Sequence, residues 1–451
     1  MKTTVSIVVV LFLAGGGILA SLRQIPGRSP ITVLKCARVL DVVSGKCLQN
    51  VRILVEGEKI KSLGPDIDIP PTALIIDLGN STVLPGLIDC HTHLLENYDG
   101  SISEDDNIIL TVTKLSTASR VLLGAAQGLE DLQAGITTVR DLGNSGINGD
   151  IALREAINSG WVIGPRIIAS TRALSMTGGE FGAVSPSAQK MVDQEYAIIT
   201  GVEEAQRTVR QAVYDGADLI KVIIDQDPRM LSLKEVRAIV QEAHRMGRKV
   251  AAHAIFDDAM RIAVEAGVDS IEHGFVASDD VLKRMAEKKI FLVPTDWPEA
   301  FRIEALLKPR NLTLEQLTNG LKEAKIRTQS RTNRLKRAVE MGVPIAGGAD
   351  IYYRMPGKTR GEASVMVFVT YARSGMAAID IIRSITIRAA ELLGWQSRIG
   401  SVDSDKFADL IAVEGDPLND IGQLEKVRFV MKGGIVIKNE LASTARQAKA
   451  Q

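Results

Sequence analysis

Four of the five histidines stand in short motifs whose spacing could bind a metal ion. His91 and His93 lie in DCHTH, His253 lies in VAAHA and His273 lies in SIEHG. On a β-strand, residues i and i+2 project to the same side, so His91 and His93 are predicted to point together. One histidine, or one His-x-His pair, is more often structural, but four at predicted strand ends indicate a metal site. His244, inside a predicted helix, is interpreted as a surface residue.

Two further residues could complete such a site, namely Lys221 in DLIKVII and Asp350 in GGAD. A buried lysine is costly and normally needs a partner, so Lys221 has two interpretations. It could form a structural ion pair with Asp225, or burial could lower its pKa so that the neutral amine becomes a carbamate bridging two metals. The nearby histidines favour the carbamate. Arg140 and Asp141 are interpreted as structural, paired with each other or with strand neighbours.

The elements that position these residues follow an alternating strand and helix pattern. The helices are amphipathic, as at Leu233–Met246. Eight such repeats over residues 85–399 predict an α/β fold, a (β/α)₈ TIM barrel with its active site at the carboxyl ends of the strands. A doubly wound open sheet would need a glycine-rich phosphate fingerprint after its first strand, and none follows it. The eight candidate strands are TVLPGLIDCH, GITTVRD, PRIIAST, DLIKVII, RKVAAHA, DSIEHG, IFLVPT and VPIAGGAD.

The segments that flank the barrel have a different texture. Short β runs broken by turn residues occupy residues 31–84 and return at 400–440, which predicts a composite β-sandwich built from both chain ends. Residues 441–451 are predicted to be a disordered tail.

Residues 1–23 resemble a targeting segment. Lys2 precedes an uncharged apolar stretch, Val5 to Ala20, which is shorter than the roughly 20 residues of a bilayer span. A cleaved signal peptide is therefore favoured over an uncleaved N-terminal anchor, and the protein is predicted to be exported to the periplasm or secreted. Export would permit a disulfide between Cys36 and Cys47, although two cysteines at this spacing are more often simply packed.

Composition excludes several classes of protein. Hydrophobic residues make up 45% and charged residues 24% of the 451 residues, which is typical of a globular protein and not of a disordered chain. The 54 basic side chains balance 54 acidic ones, so no basic face for nucleic acid is expected. Three cysteines cannot form a disulfide scaffold in a chain of this length.

The motifs together resemble the amidohydrolase superfamily, in its imidazolonepropionase-like and Xaa-Pro dipeptidase-like branch. The resemblance extends over nearly the whole chain after Ile31. The segments that carry it are VLPGLIDCHTHL, GITTVRDLG, GPRIIASTRALSMTGG, DLIKVII, VAAHA, SIEHG, GGAD and FADLIAVEGDPL.

The resemblance implies a binuclear metal site, most often of zinc. The more buried metal would be held by His91 and His93 with Asp350, and the more exposed one by His253 and His273. A carboxylated Lys221 and a hydroxide would bridge the two metals. Such a pair lowers the pKa of bound water, and Asp350 would carry the proton to the leaving nitrogen. Relatives often form homo-oligomers, which implies the same for this chain.

Substrate choice in a barrel is made by the loops after the strands. After strand three this chain has Glu180 where many relatives have histidine, and after strand five it reads His253-Ala254-Ile255 where relatives often read His-Ala-His. The loop after Lys221, residues 225–230, is short and lacks the aromatic residue usual in the dipeptidases. Glu180 is kept as a candidate substrate contact.

The loop after strand eight carries Tyr352, Tyr353 and Arg354, with Lys358 and Arg360 close behind. An arginine fork is well suited to a carboxylate, so the first three residues are candidate substrate contacts. The alternative is a solvated charged loop.

The leading functional hypothesis is a metal-dependent hydrolase of amide bonds, in dipeptides or N-acyl amino acids. Hydrolysis of a cyclic, imidazolone-like amide is the alternative, because it would use the same metals. A metal-binding module without catalysis is a third hypothesis. The retained acid–base residue Asp350 argues against it, because a degenerate site usually loses that group first.

Overall fold

A computed structural model describes residues 31–441 of the chain. The predicted signal segment, residues 1–23, and residues 442–451 of the predicted tail lie outside the described residues. Within the range, no single helix is long and apolar enough to cross a membrane. Two consecutive helices with a sharp bend between them meet both criteria only when they are taken together.

Nineteen strands form in the described range, and short ones predominate. In chain order they are β1 Ile31–Asp41, β2 Lys46–Glu56, β3 Lys59–Gly64, β4 Leu74–Asp77, β5 Thr82–Pro85, β6 Leu87–Thr92, β7 Ile136–Asp141, β8 Arg166–Ala169, β9 Ala173–Ser175, β10 Tyr196–Ile198, β11 Leu219–Ile223, β12 Asp225–Gln226, β13 Arg229–Met230, β14 Lys249–Ala254, β15 Ser270–His273, β16 Phe291–Val293, β17 Leu410–Val413, β18 Val427–Lys432 and β19 Ile435–Asn439.

One eight-stranded sheet is built from both ends of the described chain. Its order is β19-β18-β17-β5-β1-β2-β3, with β4 pairing with β1. The two ends meet where β17 lies antiparallel to β5, with Leu410 opposite Pro85 and Val413 opposite Thr82. This pairing confirms the prediction that the two ends form one β unit. A second core, which includes Val39, Ile53 and Phe429, fills its inner face.

Most of the other strands form the barrel, and they pair in parallel around it, whereas β12 and β13 form a separate antiparallel pair. Strands β6, β7 and β8 form one run, and β9, β11, β14, β15 and β16 form another. The third barrel strand consists of β8 and β9, because the chain breaks at Thr171, whose φ is 62°. The predicted α/β barrel class is therefore confirmed.

The last predicted strand, VPIAGGAD, makes only one isolated bridge, between Ile345 and Leu292. Its backbone nevertheless joins both neighbours. On one side Leu292 N–H donates to Pro344 O at 2.9 Å, and on the other Cys90 N–H donates to Gly347 O at 2.8 Å. The segment closes the ring, but it does so without regular strand geometry.

The first predicted strand, TVLPGLIDCH, is wrong as a single element. It divides at Gly86 into β5, which belongs to the two-ended sheet, and β6, which starts the barrel. A Cβ on Gly86 would lie 2.1 Å from Thr137 Oγ1, so only glycine allows the chain to pass this point.

Helices cover the outside of the barrel, and several begin at a side-chain cap. The helix predicted at Leu233–Met246 is confirmed as Leu233–Arg245, and Ser232 and Glu235 form a capping box at its start. A short helix after β16 continues as a π-helical segment, Arg302–Leu307. The helices are α1 Glu104–Lys114, α2 Thr117–Gln133, α3 Gly149–Asn158, α4 Gln189–Glu195, α5 Val202–Tyr214, α6 Leu233–Arg245, α7 Asp257–Ala266, α8 Asp279–Lys288, α9 Glu299–Phe301, α10 Leu314–Glu340, α11 Arg360–Val369, α12 Ala378–Ser384 and α13 Ile387–Leu393.

The three cysteines Cys36, Cys47 and Cys90 are free thiols. In the β1–β2 pairing, Cys36 lies opposite Val51 and Cys47 lies opposite Leu40. The two cysteines are therefore separated along the ladder, which excludes the disulfide that an exported protein would permit.

Gly348 is the position where the closing segment approaches the first barrel strand most tightly. A Cβ there would lie 2.3 Å from Val293 Cγ1 and 2.8 Å from His91 Cβ. We therefore expect Gly348→Ala to lower the free energy of unfolding by about 1–3 kcal/mol, the usual cost of overpacking. Chemical denaturation measures the change. Gly64→Ala is the control, because its Cβ would have one ordinary contact, at 3.9 Å. Equal stability of the two variants would contradict the tight approach.

Candidate metal centre

The barrel brings the four predicted histidines and Asp350 to one end of its strands. His91 lies in β6 and His93 just beyond it, His253 lies in β14 and His273 ends β15. All four imidazoles and the Asp350 carboxylate are buried. Their strands are parallel, so their carboxyl ends open at the same face of the barrel.

Asp350 is the point on which the imidazoles converge. Its Oδ1 lies 3.4 Å from His93 Nε2 and 3.6 Å from His91 Nε2, and its Oδ2 lies 3.8 Å from His273 Nδ1. His91, His273 and Asp350 form a buried triad whose ligand atoms lie within 4.8 Å of one another. The ring of His253 lies 4.5 Å from that of His273, so the fourth histidine adjoins the triad.

The outer nitrogens of these histidines are held by neighbouring groups. His93 Nδ1 lies 3.0 Å from Gly143 O and, because a carbonyl only accepts, this nitrogen carries the proton. His91 Nδ1 lies 2.8 Å from Glu272 Oε2 in the same manner. In both rings Nε2 faces the centre, as in histidines that bind a metal, and in His91 it is left unprotonated.

The carboxylate of Glu272 is itself held by two donors. Arg140 Nη2 donates to its Oε1 at 2.8 Å and Ser270 Oγ donates at 2.5 Å. Arg140 also donates to Cys90 O at 2.6 Å. The orientation of His91 therefore depends on a hydrogen-bonded chain that crosses three strands. Arg140 is structural, as expected, but it pairs with Glu272 and not with Asp141.

Burial controls the protonation of these groups. It lowers the pKa of His91 and of His273 well below the usual value, and the charge of Lys221 acts in the same direction. For His93 burial also lowers the pKa, but the adjacent carboxylate of Asp350 outweighs it and raises the pKa to about 9. A cation that replaced the proton between His93 and Asp350 would satisfy both groups.

Three ligand atoms remain without a partner in the described residues, and they test whether the site fits a metal. His91 Nε2, His253 Nε2 and Asp350 Oδ1 are fully buried and make no hydrogen bond. An unpaired buried polar atom is costly, so such atoms gathered in one place indicate that a bound group completes them. Two imidazole nitrogens and a carboxylate oxygen are suitable ligands for a divalent ion such as zinc.

Lys221 lies in β11 and is buried. Among residues 31–441 it makes no ion pair within 4.0 Å, so the alternative pairing with Asp225 is not formed. Asp225 instead accepts the backbone N–H groups of Ile255 and Phe256. Burial lowers the pKa of Lys221, although Glu272, Glu180 and other acids oppose the shift.

Two of the candidate ligands have an unusual backbone conformation. His273 has a φ of 69° and Asp350 has a φ of 56°, in the left-handed region that non-glycine residues seldom occupy. Such conformations persist only where the surrounding structure holds them, and they cluster at functional sites.

A cavity of about 560 Å³ opens above these residues. Of the predicted substrate contacts, Glu180, Tyr352 and Tyr353 line it. Glu180 accepts a hydrogen bond from Tyr196 Oη at 2.7 Å and lies 3.5 Å from His253. Burial raises its pKa, but His253, Tyr196 and Lys221 together lower the pKa below its usual value, so Glu180 is a carboxylate.

Arg354 is not brought to this cavity. It is exposed and does not line the cavity wall. Lys358 lies 3.8 Å from Glu425, and Arg360 is buried against Asp131. The alternative interpretation, a solvated charged loop, therefore describes this segment better. The chain turns away after Tyr353, and these basic residues are solvated or paired with residues outside the cavity.

Several residues around the site are not among the sequence predictions. Glu272 directly precedes a predicted ligand, and an acidic residue inside an apolar strand was the available signal. The segment after strand seven supplies Thr295, whose Oγ1 lies 2.8 Å from His273 Nδ1, together with Trp297 and Arg302. Nothing in its spacing indicated that it faces the site. His244, by contrast, lies on the surface as expected, 2.8 Å from Asp269.

Known proteins are similar to this chain in sequence and in fold. Ochratoxinase from Aspergillus niger is 30% identical over 428 residues, which cover 87% of this chain and 84% of that protein. The crystal structure of a Xaa-Pro dipeptidase with methionine bound in its active site is 31% identical, with a TM-score of 0.76. It covers 90% of this chain and 99% of the dipeptidase.

A second solved structure is that of a prolidase complexed with N-methylphosphonate-L-proline. It is 28% identical, has a TM-score of 0.77, and covers 91% of this chain and all of the prolidase. A model of the amidohydrolase family matches residues 82–438, which include every candidate ligand. The chain therefore belongs to the amidohydrolase family and is a hydrolase of carbon–nitrogen bonds.

Proposed function

We propose that this hydrolase cleaves the amide bond of dipeptides or N-acyl amino acids at a centre that holds two divalent metal ions. The observation that carries the proposal is the convergence of three buried imidazoles on Asp350, with a fourth beside them and three ligand atoms unpartnered. His91 and His93 with Asp350 would hold one ion, and His253 and His273 the other. Zinc is the ion that suits this ligand set best.

Metal ions bound there would lower the pKa of a water molecule and polarise the carbonyl of the substrate. The protein's own contribution is the movement of one proton. Asp350 lies at the centre of the imidazoles, so its carboxylate is placed to accept the proton of the attacking water and to pass it to the leaving nitrogen. The cavity walls around Asp350 limit access of bulk water to this transfer.

Lys221 is proposed to act as a carbamate. Its amine is buried and its pKa is lowered, which favours the neutral form that can add to carbon dioxide. The nitrogen would form a bond to carbon and lose one proton, which leaves a negatively charged carbamate. That group would offset the charge of two cations inside a buried site, where an ammonium group would repel them.

The solved relatives support amino-acid substrates. One holds methionine and the other a phosphonate derivative of proline, so their active sites accept amino-acid units. The cavity of this chain, at about 560 Å³, is of a size suited to a small ligand. We also propose that the N-terminal segment directs export of the protein, or alternatively anchors it in a membrane. We propose that the protein assembles into homo-oligomers.

Substitution of the proton carrier tests the reaction. We expect the wild type to hydrolyse members of a panel of Xaa-Pro dipeptides and N-acyl amino acids, and Asp350→Asn to lower kcat by about 10²–10⁴-fold. Asparagine tolerates a positive φ, so the fold and most of the metal should remain. The exposed Asp66→Asn is the control. Turnover of cyclic amides alone would favour the alternative activity, and full activity of Asp350→Asn would contradict its role.

Metal content and mass test the binuclear site. Purified protein is expected to hold two divalent ions per chain by elemental analysis, and native mass spectrometry should show one added carbon dioxide. Lys221→Arg cannot form the carbamate and should lose that mass, because the guanidinium stays protonated. One metal per chain and an unmodified lysine would indicate a mononuclear site instead.

Glu272 is expected to set metal affinity through His91. Glu272→Gln places an amide against Arg140 and weakens the acceptor for His91 Nδ1, so metal affinity should fall by about 10–100-fold. Competition with a chelator measures the change, and excess metal should restore part of the activity. Glu287→Gln, on the exposed side of α8, is the matched control. Unchanged affinity would show that His91 needs no such partner.

A further inference from the structure

Arg302 is a charged side chain in the cavity wall whose buried donors lack a partner. Arg302 is 7% exposed and lines the cavity. Its Nε and Nη2 are fully buried and make no hydrogen bond, and within residues 31–441 no carboxylate lies within 4.0 Å of its guanidinium. A buried guanidinium normally has a carboxylate partner, because its desolvation is costly.

Two other arginines of this region donate to the protein. Arg310 donates to the carbonyls of Gly100 and Ile102 at 3.1 and 3.3 Å. Arg334 donates to Asp296 at 2.6 Å. Arg302 makes neither kind of contact through its buried Nε and Nη2.

The local backbone holds Arg302 toward the cavity. It begins the π-helical segment, a rare form that is frequent at functional sites. The guanidinium carbon lies 5.5 Å from the ring of Trp297, which gives it a cation–π contact but no negative charge. Arg327 and Arg331 line the same wall, so the potential there is positive.

Aromatic side chains connect this wall to the metal centre. Arg331 lies 3.5 Å from the ring of Phe275, whose centroid is 5.4 Å from that of His273. Trp297, beside Arg302, lies 5.4 Å from Tyr352, whose ring is 6.0 Å from that of His93. The basic wall is thus one or two rings from the candidate ligands.

Acidic residues line other parts of the cavity, namely Glu96, Glu104, Asp105 and Glu180. Of these, Glu180 is a carboxylate that faces His253. An anionic group of a substrate is repelled by Glu180, and the side of α10 and the π-helical segment is where it can bind. A guanidinium offers a planar pair of donors that matches a carboxylate.

We propose that Arg302 binds the free carboxylate of the substrate, which makes this enzyme selective for amides that carry an α-carboxylate. The proposal rests on the proposed amide hydrolysis, since it assigns the position of the amino-acid part of that substrate. Arg302 would donate two N–H groups to the two carboxylate oxygens, and Arg331 would add to the positive potential. In this role Arg302 is a specificity-determining residue.

Matched substrates test this assignment. For N-acetyl-L-methionine and an Xaa-Pro dipeptide, Arg302→Gln is expected to raise KM by about 10–100-fold and to change kcat little, because the contact is lost in ground and transition states alike. For the corresponding carboxamides the variant should equal the wild type. Arg302→Lys should regain part of the affinity, since it keeps the charge without the fork. Arg207→Gln, on the exposed face of α5, is the control.

Binding separates failure of this proposal from failure of the proposed activity. Calorimetric titration of metal-loaded protein with L-methionine and with L-methioninamide needs no turnover. Preference for the acid that is lost in Arg302→Gln would support the carboxylate contact even if no panel amide is hydrolysed. Equal binding of acid and amide by the wild type, or a preference that survives in Arg302→Gln, would overturn it.

Thermal unfolding excludes a merely structural role. Removal of an unpaired buried charge should leave the melting temperature of Arg302→Gln unchanged or raise it. A lowered melting temperature together with equal losses on acids and carboxamides would overturn the proposal.

Discussion

The hydrogen bond between His91 and Glu272 is the interaction on which the candidate metal centre depends. It joins the first and sixth barrel strands, and Arg140 joins the second strand to the same carboxylate. Each of these groups would be costly to bury alone, but together they satisfy one another. The result is an imidazole with one tautomer and one orientation, held before any metal arrives. The barrel is therefore more than a support for the ligands, because pairing across its strands prepares them.

A second constraint comes from closing the barrel. The segment that ends in Asp350 has to bond to β16 on one side and to β6 on the other, and glycine at 348 lets it approach His91 closely. The same tight approach places Asp350, whose N–H donates to His91 O at 2.8 Å, opposite the histidines. Regular strand geometry is lost there, and a left-handed residue is the consequence. Closure of the ring therefore also places Asp350 among the histidines.

The parts of the molecule that could be predicted are those that local sequence patterns specify. Strand-end histidines, the barrel repeats and the pairing of the two chain ends all follow from periodicity and spacing, and all are present in the structure. The division of the first predicted strand at Gly86 was not predictable, because its cause is Thr137 on another strand. Arg354 failed as a cavity residue for a related reason: loop direction after Tyr353 is set by packing and leaves no pattern in the sequence. Glu272 and Arg302 gain their roles only from partners distant along the chain.

The balance of 54 basic and 54 acidic residues conceals how charge is sorted inside the cavity. Acidic side chains such as Glu180 lie on one side, whereas Arg302 and Arg331 lie on the side of α10. Net charge describes long-range attraction, but selection of a small molecule depends on fields over a few ångströms, where a desolvated charge acts strongly. A substrate with separated charges would be oriented by such a cavity before it reaches Asp350. The unpaired guanidinium would then select substrates by binding their carboxylate equally in the ground and transition states, which is why its loss is expected in KM.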